Sequence, residues 1–137
     1  MLQIPSPHVH KTIMNRPLYN KATRAAAIAR ANFHASILHE VEQHIQQHDI
    51  LIIGMNLNPV VAKSKKALAK LDIPFHYLEY GGYFSMWKER LAIKMWSGWP
   101  TFPQIFVKGI LIGGNQELEA CIESGELQRL LSGELDE

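Results

Sequence analysis

The chain has 137 residues, of which 47% are hydrophobic and 20% are charged, so a disordered, collagen-like or fibrous coiled-coil protein is excluded. Its net charge of +1 argues against a protein that binds nucleic acid mainly by neutralising phosphates. The apolar run at residues 50–53 is far shorter than the roughly 20 residues of a membrane span, and no other run in the sequence approaches that length. A single cysteine excludes an internal disulfide and any site made only of cysteines from one chain.

Charge is distributed unevenly along the chain. Residues 1–39 contain five basic side chains and no acidic one, whereas residues 115–137 contain seven acidic side chains and one arginine. An arginine-bearing start without acids is typical of organellar transit peptides, but this segment is poor in serine and begins with a proline-rich stretch. We therefore expect a cytoplasmic protein in which residues 1–32 form a permanent N-terminal extension before a main domain of residues 33–137.

Hydrophobic spacing predicts a long helix at residues 21–47, followed by a buried strand at residues 50–53. Asn58 and Pro59 predict the start of the next helix, because asparagine caps helices well and proline suits the first helical position. The remaining predicted elements are a strand at 75–79, a helix at 83–96, a hairpin of strands 104–107 and 110–112, and a helical region at 115–131 broken at Gly125.

This order predicts an α/β fold with a four-stranded mixed sheet and helices on both faces. The first two strands flank a helix and should be parallel, whereas the last two form a hairpin and must be antiparallel. Such an order is that of the thioredoxin-like proteins.

Two motifs surround the predicted hairpin. Trp-Pro-Thr-Phe-Pro-Gln at residues 99–104 precedes it, and the pair Gly113 and Gly114 follows it. These motifs at this separation resemble the glutaredoxins, and most closely their monothiol branch, and residues 123–127 are similar as well. The resemblance covers about residues 33–131. It implies the glutaredoxin fold, a part in cell redox homeostasis, and glutathione as a possible ligand.

The resemblance also implies a glutathione-binding cleft. It makes Pro103 a cis proline that turns the Phe102 backbone outward to pair with an extended peptide, and it places Lys94 opposite the glycyl carboxylate. Gly114 leads into a helix N-terminus that receives the γ-glutamyl carboxylate. There Asn115 and Gln116 replace the Cys-Asp pair of the family. Each of these residues also has an ordinary structural interpretation, as turn, loop or solvated residue.

The family places its nucleophilic cysteine directly after the first strand, where the helix dipole lowers the pKa of the thiol. Here Asn58 stands at the nucleophile position and Val61 at the resolving position, so the sequence predicts no catalytic residue. Cys121 falls in the predicted last helix, in phase with Leu118 and Ile122, which favours a partly buried structural thiol.

Histidines and aromatic residues offer further candidates. His44 and His48 are four residues apart and could share a metal ion, and His8 and His10 could chelate weakly. Neither pair has a third ligand at a recognisable spacing, so we expect solvated side chains and no metal site. Four aromatic residues are expected mostly in the core, with Trp87 and Trp99 as candidates for an exposed binding surface. These four are Tyr83, Phe84, Trp87 and Trp96.

The sequence favours a binding or regulatory domain that has lost its catalytic thiol and keeps a partial glutathione pocket, with no other cofactor and an unidentified protein partner. The alternative is a monothiol-type, glutathione-dependent oxidoreductase or iron-sulfur carrier that acts through Cys121 or a thiol from a partner. A third interpretation is a structural subunit that forms a homodimer through its N-terminal helix. No nucleic-acid or membrane partner is expected.

Overall fold

A computed structural model describes residues 18–134 of the chain. The chain divides between Asn32 and Phe33 into two compact units. His8 and His10 lie outside the described residues. Within those residues, no helix is both long enough and apolar enough to cross a membrane.

The first unit contains helix α1, Arg24–Asn32. The amide of Ala26 donates a hydrogen bond of 3.1 Å to Oγ1 of Thr23, which satisfies one of the free donors at the helix start. A guanidinium nitrogen of Arg30 donates to the carbonyl oxygen of Tyr19 at 2.8 Å. No residue of α1 is buried, so the stability of this helix comes from local contacts and not from a core.

The single helix predicted across residues 21–47 is wrong. A second helix, α2, spans Ala35–Gln47, and the residue before it, His34, has φ 47° and ψ 42°. This left-handed conformation interrupts a right-handed helix and is unfavourable for residues other than glycine. Residues 21–47 contain no glycine or proline, so no local signal marked the break.

Four strands form one sheet in the order β2-β1-β3-β4. Strand β1 pairs in parallel with β2 and antiparallel with β3, and β3 and β4 form an antiparallel hairpin. This topology confirms the predicted thioredoxin-like arrangement. The strands are β1 Ile50–Gly54, β2 His76–Glu79, β3 Gln104–Val107 and β4 Ile110–Gly113.

The remaining helices are α3 Pro59–Lys70, α4 Trp87–Ser97, α5 Asn115–Ser124 and α6 Glu126–Leu131. Successive residues of β1 point to opposite faces of the sheet, as the period of a strand requires. Ile52 packs in a core with side chains of α3, α5 and α6, whereas Leu51 packs in a second core with side chains of α2 and α4. All five residues of β1 are buried because helices cover both faces.

Helix α4 begins four residues later than predicted. Met86, the residue before it, has a left-handed φ of 55°, and the preceding turn carries aromatic side chains into solvent. Phe84 is fully exposed, and Trp87 is 58% exposed. The expectation that these aromatic residues lie mostly in the core is therefore wrong, since Tyr83 and Trp96 are exposed as well.

Candidate functional site

The start of α3 is built by Asn58. Its side-chain oxygen accepts hydrogen bonds from the amides of Val60 at 2.9 Å and Val61 at 3.1 Å, and Pro59 occupies the first turn. The sequence predicted this cap, because asparagine satisfies free amides at a helix start and proline has no amide hydrogen to satisfy. The amides that would otherwise stabilise a negative charge here are thus bound to a neutral carboxamide.

A cleft of about 380 Å³ lies between the first turns of α3, the loop before β3 and the N-terminus of α5. Five of the six residues predicted to bind glutathione line it: Phe102, Pro103, Gly114, Asn115 and Gln116. The sixth, Lys94, does not line this cleft, and its Nζ lies 5.7 Å from the ring centre of Phe102. The fold thus brings two distant motifs to one cavity and leaves the lysine outside its lining.

The loop before β3 is held by its own side chains. The peptide bond between Phe102 and Pro103 is cis, as the resemblance implies. Gln104 is completely buried, and its Nε2 donates to the carbonyl oxygen of Trp99 at 2.9 Å. The Phe102 side chain packs in the core with Leu51 and Ile53, so only its backbone is in a position to pair with a ligand.

Glu117 occupies part of the cleft that the sequence assigned to a ligand. Its Oε1 accepts a hydrogen bond of 2.9 Å from the amide of Gly114, the donor expected to face a carboxylate. This contact is one half of a capping box, which usually starts with serine or threonine. Because glycine stands at the cap in place of serine or threonine, the sequence alone does not indicate this capping box.

The side chain of Asn115 joins α5 to α3. It is buried, its Oδ1 accepts a hydrogen bond of 2.8 Å from the Ser64 hydroxyl, and its Nδ2 donates to Glu119 at 3.1 Å. These bonds use both ends of the amide. The contribution of Asn115 to ligand binding is therefore limited to its backbone, whereas the Gln116 side chain is exposed.

Cys121 lies inside α5 and is 7% exposed. Its Sγ is 3.3 Å from Oε1 of Glu126. Burial, followed by the nearby carboxylate, raises the pKa of the Cys121 thiol to about 11, so the thiol stays protonated at neutral pH. This placement confirms the predicted burial of the thiol and puts the sulfur outside the lining of the cleft.

The aromatic loop, residues 80–87, runs from the end of β2 to the first residue of α4 and lies beside the loop that leads into α3. The amide of Asn56 donates to the carbonyl oxygen of Gly81 at 2.6 Å. Arg90, which is buried, donates from one guanidinium nitrogen to the carbonyl oxygens of Tyr80 at 2.8 Å and Ser85 at 2.6 Å. Arg90 thus holds the aromatic loop, a role that no local pattern in the sequence signalled.

The sheet order and the cleft define an α/β protein of the thioredoxin-like class. No family model matches the chain. A glutaredoxin-like protein of Dictyostelium discoideum is 42% identical over 113 residues, which cover 82% of this chain and 92% of that protein. Glutaredoxin 4 of Buchnera aphidicola is 30% identical over 99 residues, or 71% of this chain and 92% of its own length. The chain belongs to the glutaredoxin family.

Two further comparisons are more limited. Monothiol glutaredoxin-4 of Schizosaccharomyces pombe is 42% identical over 89 residues, which cover 61% of this chain and 35% of that protein. The crystal structure of a buckwheat glutaredoxin-glutathione complex superposes with a TM-score of 0.66 over 74% of this chain and 93% of that one. Its sequence identity of 19% makes this a likeness of fold alone.

Proposed function

We propose that this glutaredoxin is a redox-inactive binding or regulatory domain that holds a thiol peptide such as glutathione without reducing it. The observation that supports the proposal most strongly is the chemistry at the start of α3. The position that the resemblance assigns to the nucleophile carries the amide of Asn58, and the only sulfhydryl of the chain is the buried Cys121.

Disulfide exchange requires a thiolate that attacks one sulfur and a thiol that leaves. A carboxamide is not a nucleophile at neutral pH, and Asn58 is also engaged as a helix cap. Cys121 gains nothing from a helix N-terminus because it lies in the second half of α5, and its raised pKa keeps the thiolate fraction small. Neither residue can therefore start the exchange reaction.

Glutathione binding is supported by the cleft and weakened by the positions of Glu117 and Lys94. The Phe102 backbone and the N-terminus of α5 adjoin one cavity, which suits an extended peptide with a carboxylate. However, Glu117 occupies the Gly114 amide, and Lys94 lies outside the lining of the cleft. We therefore expect weak binding.

A protein partner is supported by the exposed aromatic loop. Tyr83, Phe84 and Trp87 expose 61%, 101% and 58% of their surfaces, and large aromatic side chains are the residues that most often anchor interfaces. The loop is joined to the one that leads to Asn58, so a partner bound there would lie beside the start of α3. The identity of this partner remains unassigned. The cytoplasmic location and the homodimer remain predictions.

The test compares two variants that differ by one atom, Asn58→Cys and Asn58→Ser, both in a Cys121→Ala background. Serine keeps the cap but supplies no thiol, so only the cysteine variant should reduce a glutathione mixed disulfide with glutathione as the reductant. The pKa of the new thiol should be below the ordinary value of about 8.5, because the helix N-terminus stabilises a thiolate.

The natural chain should show no reduction above background in the same assay. Reduction that disappears in Cys121→Ala would contradict the proposal and establish the oxidoreductase alternative. Reconstitution with iron, sulfide and glutathione should likewise give no visible absorption from a two-iron cluster, since no cysteine is at the ligand position. A coloured species that elutes with the protein would favour the iron-sulfur carrier.

A further inference from the structure

Three histidine side chains meet at one end of the sheet. His44 lies in the last turn of α2, His48 is its C-cap, and His76 is the first residue of β2. The three offer ligand nitrogens that all lie within 4.8 Å of one another. The sequence indicated only the helical pair, and the fold adds His76, which stands at no recognisable ligand spacing from it.

The histidine rings are stacked and half-buried. The rings of His48 and His76 are 4.1 Å apart with an interplanar angle of 2°, and those of His44 and His76 are 4.8 Å apart at 9°. Within residues 18–134, Nδ1 of His44 is buried without a hydrogen-bond partner. Buried polar atoms are nearly always paired, so an unpaired ring nitrogen points to a missing ligand.

We propose that His44, His48 and His76 bind one divalent transition-metal ion, with zinc as the best fit. Imidazole nitrogens suit zinc, nickel, cobalt and copper, whereas magnesium and calcium require oxygen ligands. Three histidines with a water molecule in the fourth position are a common zinc arrangement. Zinc is also redox-inert, so the proposal requires no electron donor or acceptor.

Metal binding requires the rings to leave their stacked arrangement, because the nitrogen lone pairs of parallel rings do not converge on one ion. With Zn–N bonds of about 2.0–2.1 Å, a tetrahedral ion holds its nitrogens roughly 3.4 Å apart, so the longest separation must shorten by roughly 1.4 Å. Rotation of half-exposed rings about their side-chain bonds can supply this movement. Burial, together with His48 and His44, lowers the pKa of His76, which favours the neutral imidazole that binds metals.

The site would connect the end of α2 to an edge strand. His76 pairs with Leu51 near the beginning of β1, whereas the cleft lies beyond the opposite end of that strand. A metal ion here is therefore separate from the ligand-binding cleft. Because His48 and His76 are 28 residues apart in the sequence (76 − 48), the complete site exists only in the folded chain, and metal binding should stabilise the fold.

The experiment uses the full chain, freed of metal with a chelator and titrated with zinc by calorimetry at pH 7.5. We expect one equivalent to bind with a Kd in the micromolar range or below, and saturating zinc to raise the Tm by about 5 °C. Cobalt should give the visible absorption of a tetrahedral site. Each of His44→Gln, His48→Gln and His76→Gln should weaken binding about tenfold or more.

Two controls exclude other histidines. His39→Gln removes an exposed histidine from the same helix and should leave binding unchanged, as should the double variant His8→Gln and His10→Gln. Zinc should also shift the imidazole NMR signals of His44, His48 and His76 in the natural chain, a measurement that needs no variant. Unshifted signals, unchanged binding in the cluster variants, or loss of binding only in the His8 and His10 variant would overturn the proposal.

Discussion

At the scale of single residues, burial changes the chemistry of Cys121. The pKa of its thiol in the folded chain is raised to about 11, well above that of a free thiol, so the folded chain binds this proton more tightly than the unfolded chain does. The resulting stabilisation is complete below about pH 9 and is lost as the pH rises towards 11.

We therefore expect the natural chain and the Cys121→Ala variant to differ in how their free energies of unfolding depend on pH. The natural chain should lose stability relative to the variant between about pH 9 and pH 11. Urea denaturation of both proteins at several pH values measures the difference and cancels the ionisation of tyrosines common to both. A constant difference across that range would show that the thiol titrates normally.

At the scale of elements, the contact between β1 and α3 depends on Gly54. A Cβ atom at this position would lie 2.8 Å and 2.9 Å from the two γ-carbons of Val61, which is 2% exposed. These distances are shorter than a carbon contact allows, so helix and strand approach closely only because Gly54 has no side chain.

Gly54→Ala should therefore reduce the free energy of unfolding by about 1–3 kcal/mol, the usual cost of overpacking a core. Val61→Ala should remove the two shortest contacts and leave the one with Cε1 of Tyr77 at 3.0 Å, so the double variant should be more stable than the sum of the two single effects predicts. Chemical denaturation of the four proteins in this cycle measures the coupling. Strict additivity would mean that the two residues do not collide.

The N-terminus of α5 provides the second prediction at this scale, which rests on the proposed binding of glutathione. Glu117→Ala frees the Gly114 amide and removes a negative charge from the cleft. We expect glutathione to bind several-fold more tightly, while the lost capping interaction lowers stability by about 1 kcal/mol. Titration calorimetry and thermal unfolding measure the two effects.

Glu117→Gln is the matched control, because it keeps an oxygen that accepts the amide hydrogen while it removes the charge. A large gain in glutathione affinity in Glu117→Ala, with a small gain in Glu117→Gln, would show that the hydrogen bond to Gly114 causes the effect. Equal gains would assign it to charge. Unchanged affinity in both variants would place the glutathione carboxylate elsewhere.

At the scale of the whole molecule, the N-terminal unit is the least explained part of the chain. Ile28 of α1 is 51% exposed, and no residue of this helix is buried. His34 interrupts the long helix that was predicted here, so a homodimer cannot form through one continuous helix at residues 21–47. The prediction of a homodimer now depends on the apolar surface of α1 and on the attraction between the basic N-terminal segment and the acidic C-terminal one.

Removal of residues 1–32 tests this prediction. The second unit carries both cores of the sheet, so we expect the shortened chain to remain folded and to run as a monomer, whereas the full chain runs as a dimer. Light scattering measures both masses, and circular dichroism verifies folding. A monomeric full chain would contradict the dimer, and a dimeric shortened chain would move the interface to the second unit.

Much of this protein was determined by its sequence because the deciding signals are local. The cap at Asn58, the break at Gly125, the apolar run of β1 and the two motifs around the hairpin predicted the topology, and the resemblance carried by those motifs implied the cleft. The helical spacing of Cys121 from Leu118 and Ile122 also predicted its burial in α5. Such signals act over a few residues, where hydrogen bonding and hydrophobic spacing leave few alternatives.

Only the tertiary structure decided features that have no recognisable local signal in the sequence. The break at His34 has no local cue, and the exposure of Phe84 and Trp87 follows from where α4 begins. The occupation of the Gly114 amide by Glu117 depends on a side-chain conformation within the folded cleft. The meeting of His76 with the helical pair required the sheet to bring β2 beside the end of α2, and no spacing in the sequence encodes a distance that chain folding alone creates.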